Sequence, residues 1–367
     1  MADIRFNNTL AFNGNGNDIL NPLISDIFDA GKTSFEINND ITAKLGIKET
    51  RALTPDQKFR QTIGAYELDA IGEGEDFPTM QTGFAKEKGF AVTIYANQIA
   101  ITKLFKKWIE SAQSLKGADT SVQKEWATLA ENIKALRYGR VKTMNIVATE
   151  LFSLGFSTVA TNWPGSNTAY GQPLFSASHP YGSGLNAGTF QNVLGWGSNG
   201  TLNGALSAAN LQGALNVQKT QLRMQNGDRI DTPSKYILLT PRALAVTART
   251  LLNTAGNQVG VYAGTGSNAS LLNTFSYQGN TVEIMELPYE WGKKKNGTTV
   301  GSDTQWFLLN AEGAEMASAI RKITLYDAEF GTYVNDSNKT SYVTVDMAFT
   351  IDHFGLEAFV VWSLGTA

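Results

Sequence analysis

The sequence predicts a mixed α+β protein, and three observations lead to this fold class. Between residues 119 and 154, apolar residues recur at alternating steps of four and three, which is the spacing of one face of a long helix. From 342 to 353, apolar and polar residues alternate strictly, as they do in a strand with one buried face. Between 60 and 95, glycine and proline separate two extended runs, which favours a hairpin.

The composition restricts the function. Charged residues make up 17% of the 367-residue chain, against roughly 25% in ordinary soluble domains. A surface poor in charge suits a protein that touches many copies of itself, because charges at the centre of an interface are costly to bury. A protein with long polar loops would show the same composition, so that alternative stays open at this point.

The charge balance and the absence of cysteine exclude several classes of protein. With a formal net charge of −3, the chain lacks the basic stripe of proteins that grip DNA through its phosphates. Its one compact basic run, the three lysines at 293–295, is interpreted as a solvated loop. The absence of cysteine rules out disulfides and thiolate chemistry. The sequence shows neither a secretory signal nor a membrane-spanning run, so synthesis in the cytoplasm is expected.

The first hundred residues begin with weak patterns and continue into the predicted hairpin. Asparagine and glycine alternate at 13–17, which predicts a flexible break, and apolar residues over 19–28 recur at the spacing of a short amphipathic helix. In the second hairpin run, Phe90, Val92 and Ile94 alternate with other residues, so we expect one strand with these three side chains on a common face. The hairpin charges are sorted by arm, with Glu73, Glu75 and Asp76 on one arm and Lys86 and Lys88 on the other.

The long helix is predicted over 119–154. Thr120 and Gln123 form a capping-box signal at its start, and Gly155 follows its end. At 1.5 Å per residue, such a helix would be roughly 50 Å long, which suits a structural beam. Gly139 and Arg140 interrupt the apolar stripe, so two shorter helices remain the alternative.

Shorter elements follow the long helix. A helix is predicted over 204–226, and Lys235–Thr240 has the pattern of a buried strand that Pro241 ends before a helix over 243–252. Strands are predicted over 281–287 and 305–310, and over 342–353 and 358–362 near the C-terminus. No internal repeat and no low-complexity linker divides the chain.

No catalytic constellation emerges from the sequence. Ser178 and His179 are neighbours, but adjacent residues of an extended segment point to opposite sides, whereas a nucleophile and its base must face each other. His353 lies on the apolar face of its predicted strand and is interpreted as a core or interface residue. With two histidines and no cysteine, no metal-ligand spacing is present. The sequence therefore predicts a protein that is not an enzyme and that binds no cofactor and no metal.

One segment carries a family resemblance. A predicted helix end over 150–154 is stopped by Gly155, and an irregular link leads to Gly171-Gln-Pro-Leu-Phe-Ser-Ala-Ser-His179-Pro180. This order resembles the middle of the Mu-like major head subunits, a branch of the tailed-phage capsid proteins that share the Hong Kong 97 fold. In that family a long spine helix ends in a turn like Leu-Leu-x-x-Gly-Phe, and a segment like Asp-Gly-x-x-Leu-Phe-x-x-x-His-Pro then enters the central domain. Tyr170 stands where the family usually has Asp.

The resemblance implies a division of the chain into five parts. These are an N-terminal arm (1–50), an extended hairpin or E-loop with flanking strands (51–97), a peripheral domain that includes the spine helix (98–203), an axial domain (204–322) and closing strands of the peripheral domain (323–367).

The resemblance also implies a role for the hairpin charges. They either pair across the hairpin or contact opposite charges on the next subunit, and exposed pairs of this kind contribute about 0–1 kcal/mol each. The candidate contact residues are Glu73, Glu75, Asp76, Lys86 and Lys88.

The function that the resemblance implies is structural. The chain would self-assemble into pentamers and hexamers of an icosahedral phage head, assembled in the bacterial host cytoplasm, that encloses double-stranded DNA without sequence-specific binding. Its partners would be copies of itself and scaffolding, portal and decoration proteins, with no membrane. Three alternatives stay open: an encapsulin-like shell, against which the Mu-like segment argues, a soluble hydrolase using Ser178 or His179, and another virion part such as a tail protein.

Overall fold

The computed structural model describes part of the chain. The described residues are 40–45, 47–62, 84–102, 104, 107, 120–153, 155, 172–176, 178–181, 188–190, 204–220, 235–257, 281–288, 291, 302–310, 320–335, 337, 340–353 and 360–364. Most of the predicted arm, the predicted helix over 19–28 and the far end of the predicted hairpin lie outside these residues.

Four helices and twelve strands are described, which confirms the mixed α+β class. The helices are α1 Ile41–Lys44, α2 Thr120–Ser153, α3 Ala208–Thr220 and α4 Arg242–Asn257. The strands are β1 Lys48–Arg51, β2 Asp56–Thr62, β3 Phe84–Ala91, β4 Thr93–Ile101, β5 His179–Tyr181, β6 Gly188–Phe190, β7 Lys235–Thr240, β8 Thr281–Glu286, β9 Gln305–Asn310, β10 Ile320–Asn335, β11 Thr340–His353 and β12 Val360–Leu364.

The chain divides into two compact units. As far as they are described, Thr93–Thr143 and Tyr326–Phe349 belong to unit 1, and Ile41–Val92, Met144–Leu325 and Thr350–Ala367 belong to unit 2. Helix α2 and strands β10 and β11 therefore each contribute residues to both units. The division into arm, hairpin, peripheral and axial parts that the resemblance implies stays a prediction.

In unit 1, α2 packs on one face of a sheet in which β11 lies between β10 and β4. Strands β4 and β11 are antiparallel, with Asn97 opposite Val345. The core between helix and sheet is formed by the buried residues Ile101, Leu129, Ile133, Val343 and Val345. Arg140 of α2 makes two hydrogen bonds of 2.8 Å to the Asp327 carboxylate on β10. The apolar stripe of the helix therefore faces the sheet, and the Arg140–Asp327 pair lies at the edge of this apolar contact.

Unit 2 contains a four-stranded sheet in the order β12-β9-β7-β8. Strand β7 pairs parallel with β8 and antiparallel with β9, which in turn pairs antiparallel with β12. The core cluster on this sheet consists of Leu206, Leu211, Ala214, Leu215, Tyr236, Leu238, Ala248, Trp306 and Leu308. Polar side chains satisfy backbone oxygens inside it, since the Trp306 indole donates to Gly204 at 3.1 Å and the Gln218 amide to Leu308 at 2.8 Å.

The predicted long helix is confirmed as one continuous element. Helix α2 runs for 34 residues, and Gly139 lies within it, where an added Cβ would meet nothing within 4 Å. The alternative of two shorter helices is therefore wrong. The apolar stripe continues on both sides of this glycine, because Ile133 and Met144 are both buried.

Most of the predicted strands are also confirmed. The alternation over 342–353 places five side chains in the core at 7% exposure or less, namely Val343, Val345, Met347, Phe349 and Ile351. Strand β7 ends at Thr240 before Pro241, and α4 begins directly afterwards, with the Leu244 N–H donating to the Pro241 oxygen at 3.0 Å.

The single strand predicted for the second hairpin run is wrong. The chain forms β3 and β4 with a break at Val92, whose N–H donates to the Pro55 oxygen at 2.9 Å. Phe90, before the break, is 1% exposed, whereas Ile94, after it, is 65% exposed. The three residues therefore do not share one buried face, because the backbone leaves one strand partner and joins another between them.

Candidate assembly hairpin

Strands β2 and β3 form an antiparallel hairpin. Their register runs from Asp56 opposite Ala91 to Thr62 opposite Phe84, with an irregularity between Gln61 and Thr62. Within the described residues, these two strands pair only with each other. A two-stranded hairpin is marginally stable in water, so the contacts at its base decide how firmly it is held.

One face of the hairpin base is buried in unit 2. Phe90 packs with Ala52 and Ile323, and Phe59 of the neighbouring strand meets it edge to face, with ring centroids 5.3 Å apart. The Arg321 guanidinium lies 4.4 Å from the Phe59 centroid. Burial lowers the pKa of Arg321, but an arginine still carries its charge at neutral pH, and it therefore interacts with the ring as a cation.

The same face contains a buried ion pair. The Lys88 ammonium nitrogen lies 2.8 Å from Oδ2 of Asp352 on β11, and the two side chains are 6% and 4% exposed. The ammonium also lies 5.3 Å from the ring centroid of Phe90. Buried charges occur in proteins when they are paired, because the transfer of an ion out of water costs several kcal/mol.

The five predicted contact residues have different outcomes. Lys88 is buried and has Asp352 of its own chain as a partner. Lys86 belongs to β3, but its side chain lies outside the description. Three residues, Glu73, Glu75 and Asp76, fall outside the described residues. Contacts of these charges with a neighbouring subunit therefore stay a prediction.

Sequence reasoning missed Asp352, Arg321 and the burial of Lys88. One signal was available, because Lys88 and Phe90 are two residues apart on a strand and must share a face. Strict alternation along β11 would place Asp352 on the polar face, away from the face that carries Ile351. Nothing local in the sequence indicates that Asp352 pairs with a residue of β3.

The segment that carries the family resemblance packs against the end of α2. The Phe175 N–H donates to the Gly155 oxygen at 2.8 Å, and a Cβ on Gly155 would lie 2.6 Å from two ring carbons of Phe175. The Phe307 ring contacts Phe175 at a centroid distance of 5.6 Å and Phe152 at 5.3 Å. We call these four residues, Phe152, Gly155, Phe175 and Phe307, the helix-end joint.

The residues considered for catalysis do not form a site. His179 is fully buried at the start of β5, whereas Ser178 is exposed and its N–H donates to Oγ of Ser176 at 3.1 Å. One of the two side chains is therefore exposed and the other buried, whereas a nucleophile and its base must face each other. In the described ranges, no three His, Cys, Asp or Glu side chains are close enough together to hold a metal ion. Of the helices that are described, none has both the length and the hydropathy needed to cross a bilayer.

The sheet of unit 1 has a second face, opposite to α2, that carries aromatic and polar side chains. The Tyr333 and Tyr342 rings stack with centroids 5.0 Å apart, and the Tyr333 hydroxyl donates to Oε1 of Gln98 at 3.0 Å. In the part of the chain that is described, β4 pairs only with β11. On this edge strand, Oδ1 of Asn97 accepts the Gln98 N–H at 2.9 Å.

Comparisons with known proteins give structural matches alone. No protein-family model and no curated protein sequence matches the chain. The head structure of Helicobacter pylori bacteriophage KHP40 is 10% identical, with 87% of this chain and 88% of that chain covered and a TM-score of 0.47. The capsid of Ralstonia phage GP4 is 11% identical, with coverages of 100% and 96% and a TM-score of 0.45. A virus-like particle from Pyrococcus furiosus is 9% identical, with coverages of 93% and 96% and a TM-score of 0.39. These three solved structures are a phage head, a phage capsid and a virus-like particle.

Proposed function

We propose that this chain is the major capsid protein of a tailed phage. Copies of the chain assemble into pentamers and hexamers, and these rings build an icosahedral head around double-stranded DNA. The head forms in the cytoplasm of the bacterial host and becomes the capsid of the virion.

The helix-end joint is the observation that carries this proposal. Two of the residues on which the family resemblance rests, Gly155 and Phe175, belong to this joint, and Phe175 and its neighbour Leu174 are each 2% exposed. The helix in front of the joint has 34 residues, about three times the mean length of helices in globular proteins. A helix of this length suits a subunit of a thin shell.

The hairpin is the element that we expect to join neighbouring subunits. Rings are built from heterologous contacts, in which one surface of a subunit meets a different surface of the next. A hairpin whose strands pair only with each other in the described residues can supply one side of such a contact. Each contact can be weak, because every subunit is held by several neighbours at once.

The charge of the chain fits a container for DNA. A net charge of −3 gives no strong attraction to phosphates, so the shell can enclose the genome without gripping it. We expect a scaffolding protein to guide assembly, a portal to occupy one vertex and decoration proteins to bind the outside. An encapsulin-like shell would have the same subunit architecture but would contain cargo protein instead of DNA.

Electron microscopy of the purified protein tests the proposal. Negative-stain images of the chain expressed alone, and together with a candidate scaffolding protein, should show closed angular shells in at least one condition. Dispersed small particles in both conditions would contradict the proposal. Shells that contain a co-purifying protein cargo and exclude DNA would instead favour the encapsulin-like alternative.

A hairpin variant tests the assembly contact. Replacement of residues 72–83 by a short Gly-Asn linker leaves β2, β3 and Lys88 in place, so the subunit should fold and give the circular dichroism spectrum of the parent. It should form no shells, because the predicted contact residues Glu73, Glu75 and Asp76 are gone. A control variant with Gly-Ser-Asn at 293–295 should assemble like the parent. Normal shells from the hairpin variant would refute this role.

A further inference from the structure

We propose that the ion pair between Lys88 and Asp352 is a latch that fixes the direction of the hairpin. We call this pair the hairpin latch. Both residues are positioning residues, and they act on the geometry of β2 and β3 more than on the stability of the fold.

The apolar contacts at the hairpin base do not fix its direction by themselves. Phe90 packs with Ala52 and Ile323, and contacts between apolar surfaces are not directional. A hairpin held only at this cluster would have one attachment point, Phe90, about which it could pivot. A fixed direction needs further attachment points, away from the pivot.

The latch supplies such a point farther along the hairpin. Lys88 lies two residues nearer to the turn than Phe90, which is about 7 Å along the strand, and its ammonium is bonded to Asp352 at 2.8 Å. Phe59, which lies opposite Lys88 on β2, is covered by the Arg321 guanidinium. The hairpin is therefore held at Phe90 and, farther out, on both of its strands.

An ion pair is suited to fixing direction. An apolar replacement of a buried pair often leaves stability unchanged or raises it, so the net stability that the latch supplies is small. A charge-assisted hydrogen bond, in contrast, requires a short distance and a defined angle. Because both side chains are shielded from water, the pair is also screened little by salt. The role that remains for the latch is to fix the direction of β2 and β3.

The part of this inference that concerns shells rests on the proposed function. In a closed ring, the hairpin must reach the same place on its neighbour in every subunit. A hairpin that pivots would reach this place in only a fraction of encounters, and its apparent affinity would fall by that fraction. Loss of the latch should therefore impair assembly even when each subunit is folded.

Distance measurements on the unassembled subunit test the latch directly. The chain has no cysteine, so cysteines introduced at Glu75 and at Val246, which is 69% exposed on α4, can be spin-labelled without side reactions. Pulsed electron spin resonance then gives the distribution of distances between the two labels. In the variant Lys88→Met with Asp352→Leu, we expect a broader or shifted distribution and a thermal midpoint close to that of the parent.

A second ion pair in the same unit provides a control that lies outside the hairpin. The Lys322 ammonium on β10 lies 3.1 Å from the Glu49 carboxylate on β1. Neither residue belongs to the hairpin strands β2 and β3. The variant Lys322→Met with Glu49→Leu should keep the distance distribution of the parent. If the latch variant does not fold, Lys88→Met with Asp352→Asn removes both charges, keeps the shape at residue 352 and leaves no unpaired buried charge, and its distance distribution decides in the same way. An unchanged distribution in a folded latch variant overturns the inference.

Assembly yields separate this inference from the proposed function. If the parent forms shells and the latch variant forms fewer or more irregular shells, both are supported. If the parent forms no shells but the distance distribution of the latch variant broadens, the latch stands and the proposed function fails. If the parent forms shells and the latch variant has a narrow distribution, the latch is overturned and the proposed function stands.

Discussion

Gly155 shows how a single residue position is fixed by its surroundings. The Phe175 ring occupies the space that a side chain at residue 155 would need, and the same ring contacts Phe307. Phe175 cannot move away without opening this aromatic contact. The glycine is therefore required by packing at the helix end, where the last turns of α2 meet Phe175 and Phe307 within unit 2.

The first prediction concerns this glycine. Gly155→Ala should lower the free energy of unfolding by about 1–3 kcal/mol, because the new methyl group overpacks a filled core. Gly139→Ala is the control, since it adds the same methyl group inside α2, where the space is open, and it should raise stability by up to about 1 kcal/mol. Urea denaturation of both variants measures the difference. Shifts of the same sign and size in the two variants would contradict the packing argument.

At the scale of elements, β10 and β11 bring ionisable groups together in unit 1. The Tyr326 hydroxyl is hydrogen-bonded to the Asp346 carboxylate, and Glu329 is nearby. Burial, this hydrogen bond and the two negative charges raise the pKa of Tyr326 from its ordinary value of 10.0 to about 12. All of these influences disfavour the tyrosinate in the folded state.

A pH dependence of stability follows from this raised pKa. Below pH 10 the phenol is protonated in both states, and its contribution is fully present. Between pH 10 and about 12 the unfolded chain releases this proton while the folded chain keeps it, so the free energy of unfolding falls as the pH rises. Urea denaturation across this range should show a shallower fall for Tyr326→Phe than for the parent. If the free energy of unfolding falls with the same slope in the variant and the parent, Tyr326 does not contribute to this pH dependence.

The sequence predicted most elements correctly because their patterns are local. The buried face of β11, with residues such as Val345 and Phe349, follows from alternation alone, and the length of α2 follows from its apolar stripe. The same alternation failed at Phe90, Val92 and Ile94. A period of two shows that each side of Val92 is extended, but it cannot show that the two sides pair with different strands.

The contacts at the hairpin base could not be predicted for a related reason. Alternation places Lys88 on the same face of β3 as Phe90. A lysine is buried there only if a partner compensates its charge. That partner, Asp352, belongs to a strand near the other end of the chain. Pairing of this kind depends on the tertiary fold, and a single sequence carries no local signal for it.

At the scale of the whole molecule, the proposed function makes each subunit both a donor and an acceptor of hairpin contacts. A chain that lacks residues 72–83 would keep the surface that accepts a neighbour's hairpin but would offer none of its own. Because ring contacts are heterologous, such a chain can join a growing ring and stop it.

Mixing experiments test this consequence. When the hairpin variant is added to the parent at a constant total concentration, the yield of shells should fall more steeply than the fraction of parent chains. Sedimentation of assembled material measures this yield. A yield that falls in proportion to the parent fraction would mean that the variant does not enter the growing rings. That result would contradict its role as an acceptor of hairpin contacts.

The edge of the unit 1 sheet has a consequence for the free subunit. An open strand edge offers unpaired N–H and C=O groups to strands of other chains. The backbone N–H of Gln98 on β4 already donates to Oδ1 of Asn97. This N–H is therefore occupied when a strand of another chain approaches. We therefore expect the Asn97 side chain to weaken the addition of a further strand at this edge of the free subunit.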